Sequence, residues 1–318
     1  MQWQKLGKIF DPRDHVLYGK CSEFAQSPQA LVFDDRVRVY FSTRERDDAG
    51  KFLSHVGFVD MDKSFSRALR VSSHQVIALG ERGTFDEHGI FPFSPTRVDN
   101  RIYAYTTGWT RRSSVSTDSG IGLAISDDKG ETFFRHGKGP VLGASLHEPF
   151  LVSDGFVLRH GGQFHMWYIY GQRWIRASDD APPDRVYKIA HATSNDGVSW
   201  TKSGRGVIPD FIDTDECQAL PTIALHDGQF HMIFCYRCAT DFRSNRKRAY
   251  RLGYASSTDL VHWKRTAEPV LPESVEGAWD AGMQCYPNLI RVEKDLFLLY
   301  NGNEFGRHGF GLARLNQN

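Results

Sequence analysis

Leu220-Pro221-Thr222-Ile223-Ala224, followed by the turn Asp227-Gly228 and by Phe230-His231-Met232-Ile233-Phe234, is the stretch that decides the fold, because it recurs. An apolar run opened by Pro or Gly, a two-residue turn and an aromatic run together read as a β-hairpin. Four further copies are Ser27-Pro28-Gln29-Ala30-Leu31-Val32 with 37–41, Ser94-Pro95-Thr96-Arg97-Val98 with 102–105, Asp154-Gly155-Phe156-Val157-Leu158 with 164–168, and Tyr286-Pro287-Asn288-Leu289-Ile290 with 296–300. The opening positions 28, 95, 155, 221 and 287 are spaced by 67, 60, 66 and 66 residues. A Pro is expected where a strand begins, since its missing N–H then lies at the ladder's end.

A third strand follows each hairpin, at 56–59, 122–125, 188–192, 252–255 and 310–313. A fourth, carrying an aromatic and ending in an apolar pair, is legible at 133–142, 200–208 and 263–271, and more weakly at 65–77. The fifth copy has none before Asn318, whereas Trp3-Gln4-Lys5-Leu6-Gly7-Lys8-Ile9-Phe10 reads like Trp200-Thr201-Lys202-Ser203-Gly204. The expectation is an all-β, five-bladed β-propeller of four-stranded blades. Residues 1–318 form a single domain, and the N-terminal strand completes the last blade, which leaves few exposed edges.

Composition agrees with a globular chain: 40% of the 318 residues are hydrophobic and 24% charged. A net charge of +1 gives no global field for nucleic acid or an anionic membrane. No stretch approaches the roughly 20 apolar residues of a spanning helix, and the first residues hold no apolar leader, so a cytoplasmic protein is expected. The cysteines Cys21, Cys217, Cys235, Cys238 and Cys285 are odd in number, which favours free thiols. Cys235 and Cys238 flank an aromatic strand and lack further ligands at short spacing, so neither a metal nor a cofactor is expected. The segments Ser126-Asp127-Asp128-Lys129-Gly130 and Ser194-Asn195-Asp196-Gly197 resemble the Asp-box turns of sialidases and other propellers, where Ser and Asp bond their own backbone.

Ligand sites of propellers lie at the axis, where the innermost strands begin. The segments that open the five copies carry Glu23, the trio Asp86-Glu87-His88, Asp154, Glu216 with Gln218, and Gln284. Like charges seldom gather in a structural interior, whereas paired carboxylates are what glycosidic cleavage needs. Glu216, Asp154, Glu23 and Asp86 are therefore the catalytic candidates. Glu23 and Glu216 both stand five residues before their strand Pro, so they are expected at related places.

Loops between second and third strands return to the same face, and each carries Arg. Arg44, Arg237 and Arg307 suit bidentate capture of phosphate or carboxylate, and Trp109 and Tyr168 can stack on sugar rings. Glu87, His88, Gln218, Gln284, Asn301 and Asn303 complete the expected binding set.

Several phrases carry a family resemblance: Glu216-Cys217-Gln218-Ala219-Leu220-Pro221, Met283-Gln284-Cys285-Tyr286-Pro287, Phe164-His165-Met166-Trp167-Tyr168, the run from Tyr254 to Trp263, and the start Trp3 to Phe10. Together they resemble the five-bladed propeller glycosidase superfamily, which includes the arabinanase-like, invertase-like and mannoside-phosphorylase-like families. The run Tyr300-Asn301-Gly302-Asn303-Glu304-Phe305-Gly306-Arg307-His308-Gly309-Phe310-Gly311 looks like uncharacterised members of that group. The resemblance implies a general acid at Glu216 and a pKa-tuning role for Asp154. It leaves the base open between Glu23 and Asp86, because Ser27 stands where arabinanase-like members place an Asp, and the invertase-like Asn-Asp-Pro-Asn-Gly is absent.

Two readings stay open. In the first, an enzyme cleaves or transfers a glycosyl unit of an anionic oligosaccharide or glycoconjugate by hydrolysis, or by phosphorolysis with phosphate or another anion held by Arg. In the second, a non-catalytic propeller binds a glycan.

Overall fold

The structure, a computed structural model, describes residues 1–316. β1 (Trp3–Phe10) does not pair with its neighbours in sequence. The next strands form two antiparallel units: β2 (Glu23–Val32), β3 (Val37–Arg46), β4 (Phe52–Met61) and β5 (Ala68–Val71), then β6 (Gly89–Val98), β7 (Arg101–Arg111), β8 (Thr117–Ser126) and β9 (Phe134–Arg135). A single parallel pairing, Ser54 with Gly89, joins these two units into one eight-stranded sheet. Two four-stranded sheets come after them: β10 (Val152–His160), β11 (Gln163–Ile175), β12 (Asp184–Ser194), β13 (Thr201–Gly206), and β14 (Cys217–His226), β15 (Gln229–Arg237), β16 (Arg251–Ser257), β17 (Lys264–Thr266). The last sheet holds β18 (Cys285–Val292), β19 (Asp295–Asn301) and β20 (Phe310–Leu315), with β1 as its outer strand. Trp3 pairs with Leu315 and Phe10 with Phe310, and both β1 aromatics are buried.

The core lies between sheets. Phe10, Val39 and Phe41 pack with Leu299, Phe310 and Leu312, which links the last sheet to the first unit. Tyr40, Phe58, Phe93 and Phe133 join the first and second units, and Tyr105, Val152, Met166 and Tyr168 join the second and third. A larger cluster containing Trp167, Phe234, Leu252, Leu298 and Tyr300 runs from the third unit to the last sheet. The first strands β2, β6, β10, β14 and β18 neighbour one another in a cycle. Turn contacts reinforce the joints: Tyr40 and Tyr105 donate to the carbonyls of Gly130 and Gly197 in the next unit at 2.8 and 2.9 Å. In the turns themselves Asp128 accepts from the Thr132 N–H, and Asp196 from the N–H groups of Val198 and Ser199. These carboxylates stabilise their own loops.

The strand-opening Pro differs from expectation. The first strands begin several residues earlier, and Pro28, Pro221 and Pro287 sit within them at register shifts. The residue before each is left-handed: Ser27, Leu220 and Tyr286 have φ of 53, 47 and 56°, and Asp154, before Gly155, has 58°. The missing Pro N–H thus falls where a bulge interrupts the ladder. In the second unit the shift lies between Ile90 and Phe93, so Pro92, not Pro95, occupies the corresponding place.

Candidate active site

The bulges turn one end of every first strand toward a common cavity. It measures about 370 Å³ and is walled by all five units. Gln26, Phe91, Asp154, Ala219 and Tyr286 come from the first strands at or beside their bulges. Second strands add Arg44, Thr107, Trp109, Ile169 and Arg237, and the starts of third strands add Phe52, Ser119, Arg185 and Tyr187. These ends share one face because strand direction alternates along each meander.

Among the described residues, Asp154 is the sole carboxylate in this wall. Its left-handed backbone places the side chain between units: Ser153 Oγ donates to Oδ1 at 2.7 Å, the Leu220 N–H to Oδ2 at 3.2 Å, and the Asp154 N–H donates to Thr107 Oγ1 at 2.8 Å. Only 6% of the residue is exposed. Burial pushes its carboxyl up to about 6, against the pull of the Ser153 and Leu220 hydrogen bonds and of the Arg185 charge. At neutral pH a useful fraction is therefore neutral and able to give up a proton.

Of the four arginines of the wall, Arg243 pairs with Asp184 at 3.5 Å, whereas Arg44, Arg185 and Arg237 have no carboxylate partner among the described residues. Arg237, 2% exposed, spends its Nη1 on the carbonyls of Cys238 and Ala239 at 2.8 Å each and its Nε on the Tyr187 hydroxyl at 3.2 Å. Its guanidinium lies 3.5 Å from the Phe242 ring centre. Burial opposes its charge, yet the surrounding Tyr187 and Tyr250 hold it above the ordinary guanidinium value. Arg44 lies near the rings of Phe24 and Phe52, and its buried Nε has no hydrogen-bond partner among the described residues. Burial lowers its pKa. Among the described residues the Arg185 guanidinium donates only to the hydroxyls of Ser116 and Thr117, at 3.3 Å. Desolvated guanidinium groups without counter-charges attract an anion.

The other expected residues lie elsewhere. Glu216 is fully buried behind the wall, bound by Arg265, by Gln218 Nε2 at 3.1 Å and by the N–H groups of Phe211 and Ile212 at 2.9 and 3.0 Å. Glu23 does not mirror it. That side chain is part-exposed and holds Arg307 through bonds of 3.1 and 3.0 Å. Asp86 is buried against Arg135 Nε at 2.7 Å and Thr84 Oγ1 at 3.0 Å. Glu87 accepts from the Gly83 N–H at 2.8 Å, and His88 stacks behind Trp109 with ring centres 6.0 Å apart. Tyr168 donates to Glu148 in the core, and Gln284 donates to Asp280. Asn301 ties β19 to Ala25, Ser27 and Gly309, and Asn303 pins the Gly282 and Met283 N–H groups. Of the fifteen expected residues, Asp154, Arg44, Trp109 and Arg237 meet in the cavity. Arg185 and Tyr187 were missed; Asp184-Arg185-Val186-Tyr187 reads as an ordinary alternating strand start, and only its position at the shared face marks it. Among the described residues no cluster of His, Cys, Asp and Glu is arranged to hold a metal ion, and the five cysteines are buried free thiols. No helix there is long and apolar enough to cross a membrane.

An all-β chain with a cavity lined by arginines, aromatics and one carboxylate at the bulged ends of its first strands has the fold of solved glycoside-cleaving enzymes. A structure named as a glycoside hydrolase superposes with a TM-score of 0.74 at 15% identity, covering 99% of this chain and 92% of that one. A thermostable family-43 glycoside hydrolase gives 0.62 at 14%, covering 95% and 92%. The β-1,2-mannobiose phosphorylase from Listeria innocua, in complex with β-1,2-mannobiose, gives 0.67 at 12%, covering 99% and 96%. The fold is thus that of the glycosidase superfamily whose motifs the sequence resembles. No family model matches the chain. Over 316 residues, 99% of either chain, it is 30% identical to the uncharacterized proteins Rv1502 and MT1551 of Mycobacterium tuberculosis, strains ATCC 25618 / H37Rv and CDC 1551 / Oshkosh. The chain belongs to the family of these two proteins.

Proposed function

We propose that the five four-stranded units form a five-bladed β-propeller, one domain, whose central cavity cleaves or transfers a glycosyl unit of an anionic glycan. One observation carries this reading: a single buried carboxyl with its pKa raised to about 6 shares a cavity with Arg44, Arg185 and Arg237, which have no carboxylate partner among the described residues. The neutral Asp154 gives its proton to the glycosidic oxygen as the bond to the anomeric carbon breaks. Arg44, Arg185 and Arg237 hold the anion, and Trp109 offers a ring face to the sugar. Hydrolysis with activated water calls for a second carboxylate across the bond, and the described residues of the wall supply none. Phosphorolysis needs only the acid: an oxygen of inorganic phosphate held by the arginines bonds to the anomeric carbon, the leaving alcohol takes the Asp154 proton, and solvent restores it.

The lone carboxylate also favours a second reading, a glycan-binding propeller without turnover. Incubating the protein with acidic oligosaccharides with and without inorganic phosphate separates the two. Phosphate-dependent appearance of a glycosyl phosphate, followed by 31P NMR, supports phosphorolysis. Retained binding with no new reducing end under either condition leaves the binding reading.

A further inference from the structure

A second space adjoins the cavity. About 650 Å³ in volume, it runs outward between the first unit and the last sheet, and it shares Phe24, Arg44, Phe52, Arg243 and Phe305 with the cavity wall. A third, of about 330 Å³, continues it past Arg243, Met283 and Glu304 beneath the loop between β15 and β16. Together the walls of these three spaces carry eight basic and four acidic side chains, on a chain whose net charge is only +1. In the two outer spaces Glu23 and Glu304 are engaged by Arg307. Lys20, Arg44, Arg46 and Arg246 have no carboxylate within ion-pair distance among the described residues. Arg44 belongs to both the cavity and the first outer space, and its buried Nε is unpartnered. The Arg46 guanidinium lies over the Phe52 ring, 4.2 Å from its centre, an aromatic and cationic surface in one place.

We propose that this groove is an extended subsite for the next residues of an acidic oligosaccharide, so that the ligand carries at least two anionic groups: one at Arg44, Arg185 and Arg237 in the cavity, and another along Lys20 and Arg46 outside it. This rests on the anionic-glycan reading of the cavity. A chain occupying both spaces passes Arg44, which serves both anionic groups. Charge matched along the groove favours a uronic or otherwise acid-substituted chain over a neutral one.

Binding of galacturonate, tetragalacturonate and neutral cellotetraose, measured by calorimetry on the full chain, tests the proposal. Tetragalacturonate is expected to bind about tenfold more tightly than galacturonate, the scale of two further exposed charge contacts, and cellotetraose more weakly than both. Lys20→Ala/Arg46→Ala should remove most of that gain, lowering affinity for the tetramer several-fold more than for the monomer. Equal affinities of monomer and tetramer in the unaltered protein overturn the groove and leave the cavity reading standing. So does a double variant that weakens both equally. Tetramer binding without monomer binding supports the groove and counts against the cavity arginines. Failure of both acidic probes overturns both readings.

Discussion

The carboxylate of Asp154 in β10 accepts a hydrogen bond from the backbone N–H of Leu220 in β14, 3.2 Å away and in the neighbouring sheet. Both residues are left-handed bulge positions, and the same bond that fixes the carboxylate seams two units together. An amide oxygen can accept from Leu220 as well as a carboxylate can, but an amide cannot give up a proton. Asp154→Asn should therefore retain the fold and lower turnover at least 100-fold, the usual scale for a positioned general acid. In the unaltered protein, kcat/KM should fall as pH rises above about 6, because the proton-bearing form is lost there. Turnover of the Asn variant within tenfold of the parent would remove Asp154 from the chemistry.

Stability should report the same carboxyl. Its folded value of about 6 lies above the ordinary aspartate value of 3.8, so the folded state holds the proton more tightly than the unfolded state does. The resulting stabilisation is complete below about pH 4 and is lost as pH rises through 6, a span of about 3 kcal/mol. The Asn side chain, neutral throughout, lacks this dependence. Urea unfolding should show Asp154→Asn gaining on the unaltered protein by about that amount between pH 4 and pH 8. A difference that stays flat across this range would mean that Asp154 is ionised throughout.

Glu216 and Arg265 form a pair with almost no exposure on either side chain. Arg265→Ala strands the carboxylate with Gln218 and two backbone donors, and should cost about 3–5 kcal/mol in unfolding free energy. Glu216→Gln should also destabilise, since it leaves Arg265 uncompensated, while the folded fraction keeps turnover within tenfold. A Gln variant with unchanged unfolding and a 100-fold lower turnover would instead return Glu216 to the role of proton donor.

The sequence made the hairpins and the partner of the first strand legible, since apolar alternation and turn residues act locally. Trp3 to Phe10 resembled a fourth strand and lies beside Phe310–Leu315. Site geometry was harder to read because a bulge inserts a residue and changes which side chains face inward. Counting back from Pro28 and Pro221 treated Glu23 and Glu216 as equivalents. One instead faces an outer groove beside Arg307, and the other folds back under Phe211 and Ile212. Pro95 drew the second unit's register three residues too far along, since the shift there falls at Pro92. Asp154 was readable because the residue before Gly155 lies at the bulge itself. Arg185 was not, because its importance depends on the unpaired state of its guanidinium, which no spacing records.

Arg237 tests the anionic-ligand reading most directly. It is the least exposed of the cavity cations, its Nη1 and Nε are already committed to two carbonyls and a hydroxyl, and the Phe242 ring fixes the plane of its guanidinium. A planar fork held this way can present its remaining edge to a carboxylate or phosphate oxygen without further loss of freedom. Lys in its place keeps the charge and loses the fork. Affinity for galacturonate or inorganic phosphate should fall by about 1–3 kcal/mol, the range for hydrogen bonds to charged groups. Because Arg237 is buried, added salt should screen its part less than it screens the more exposed Arg243, so binding to Arg237→Lys should weaken with salt at least as steeply as in the parent. Calorimetry at 50 and 500 mM salt reads both effects, and an unchanged affinity in Arg237→Lys would reduce this residue to a structural clamp for the loop after β15.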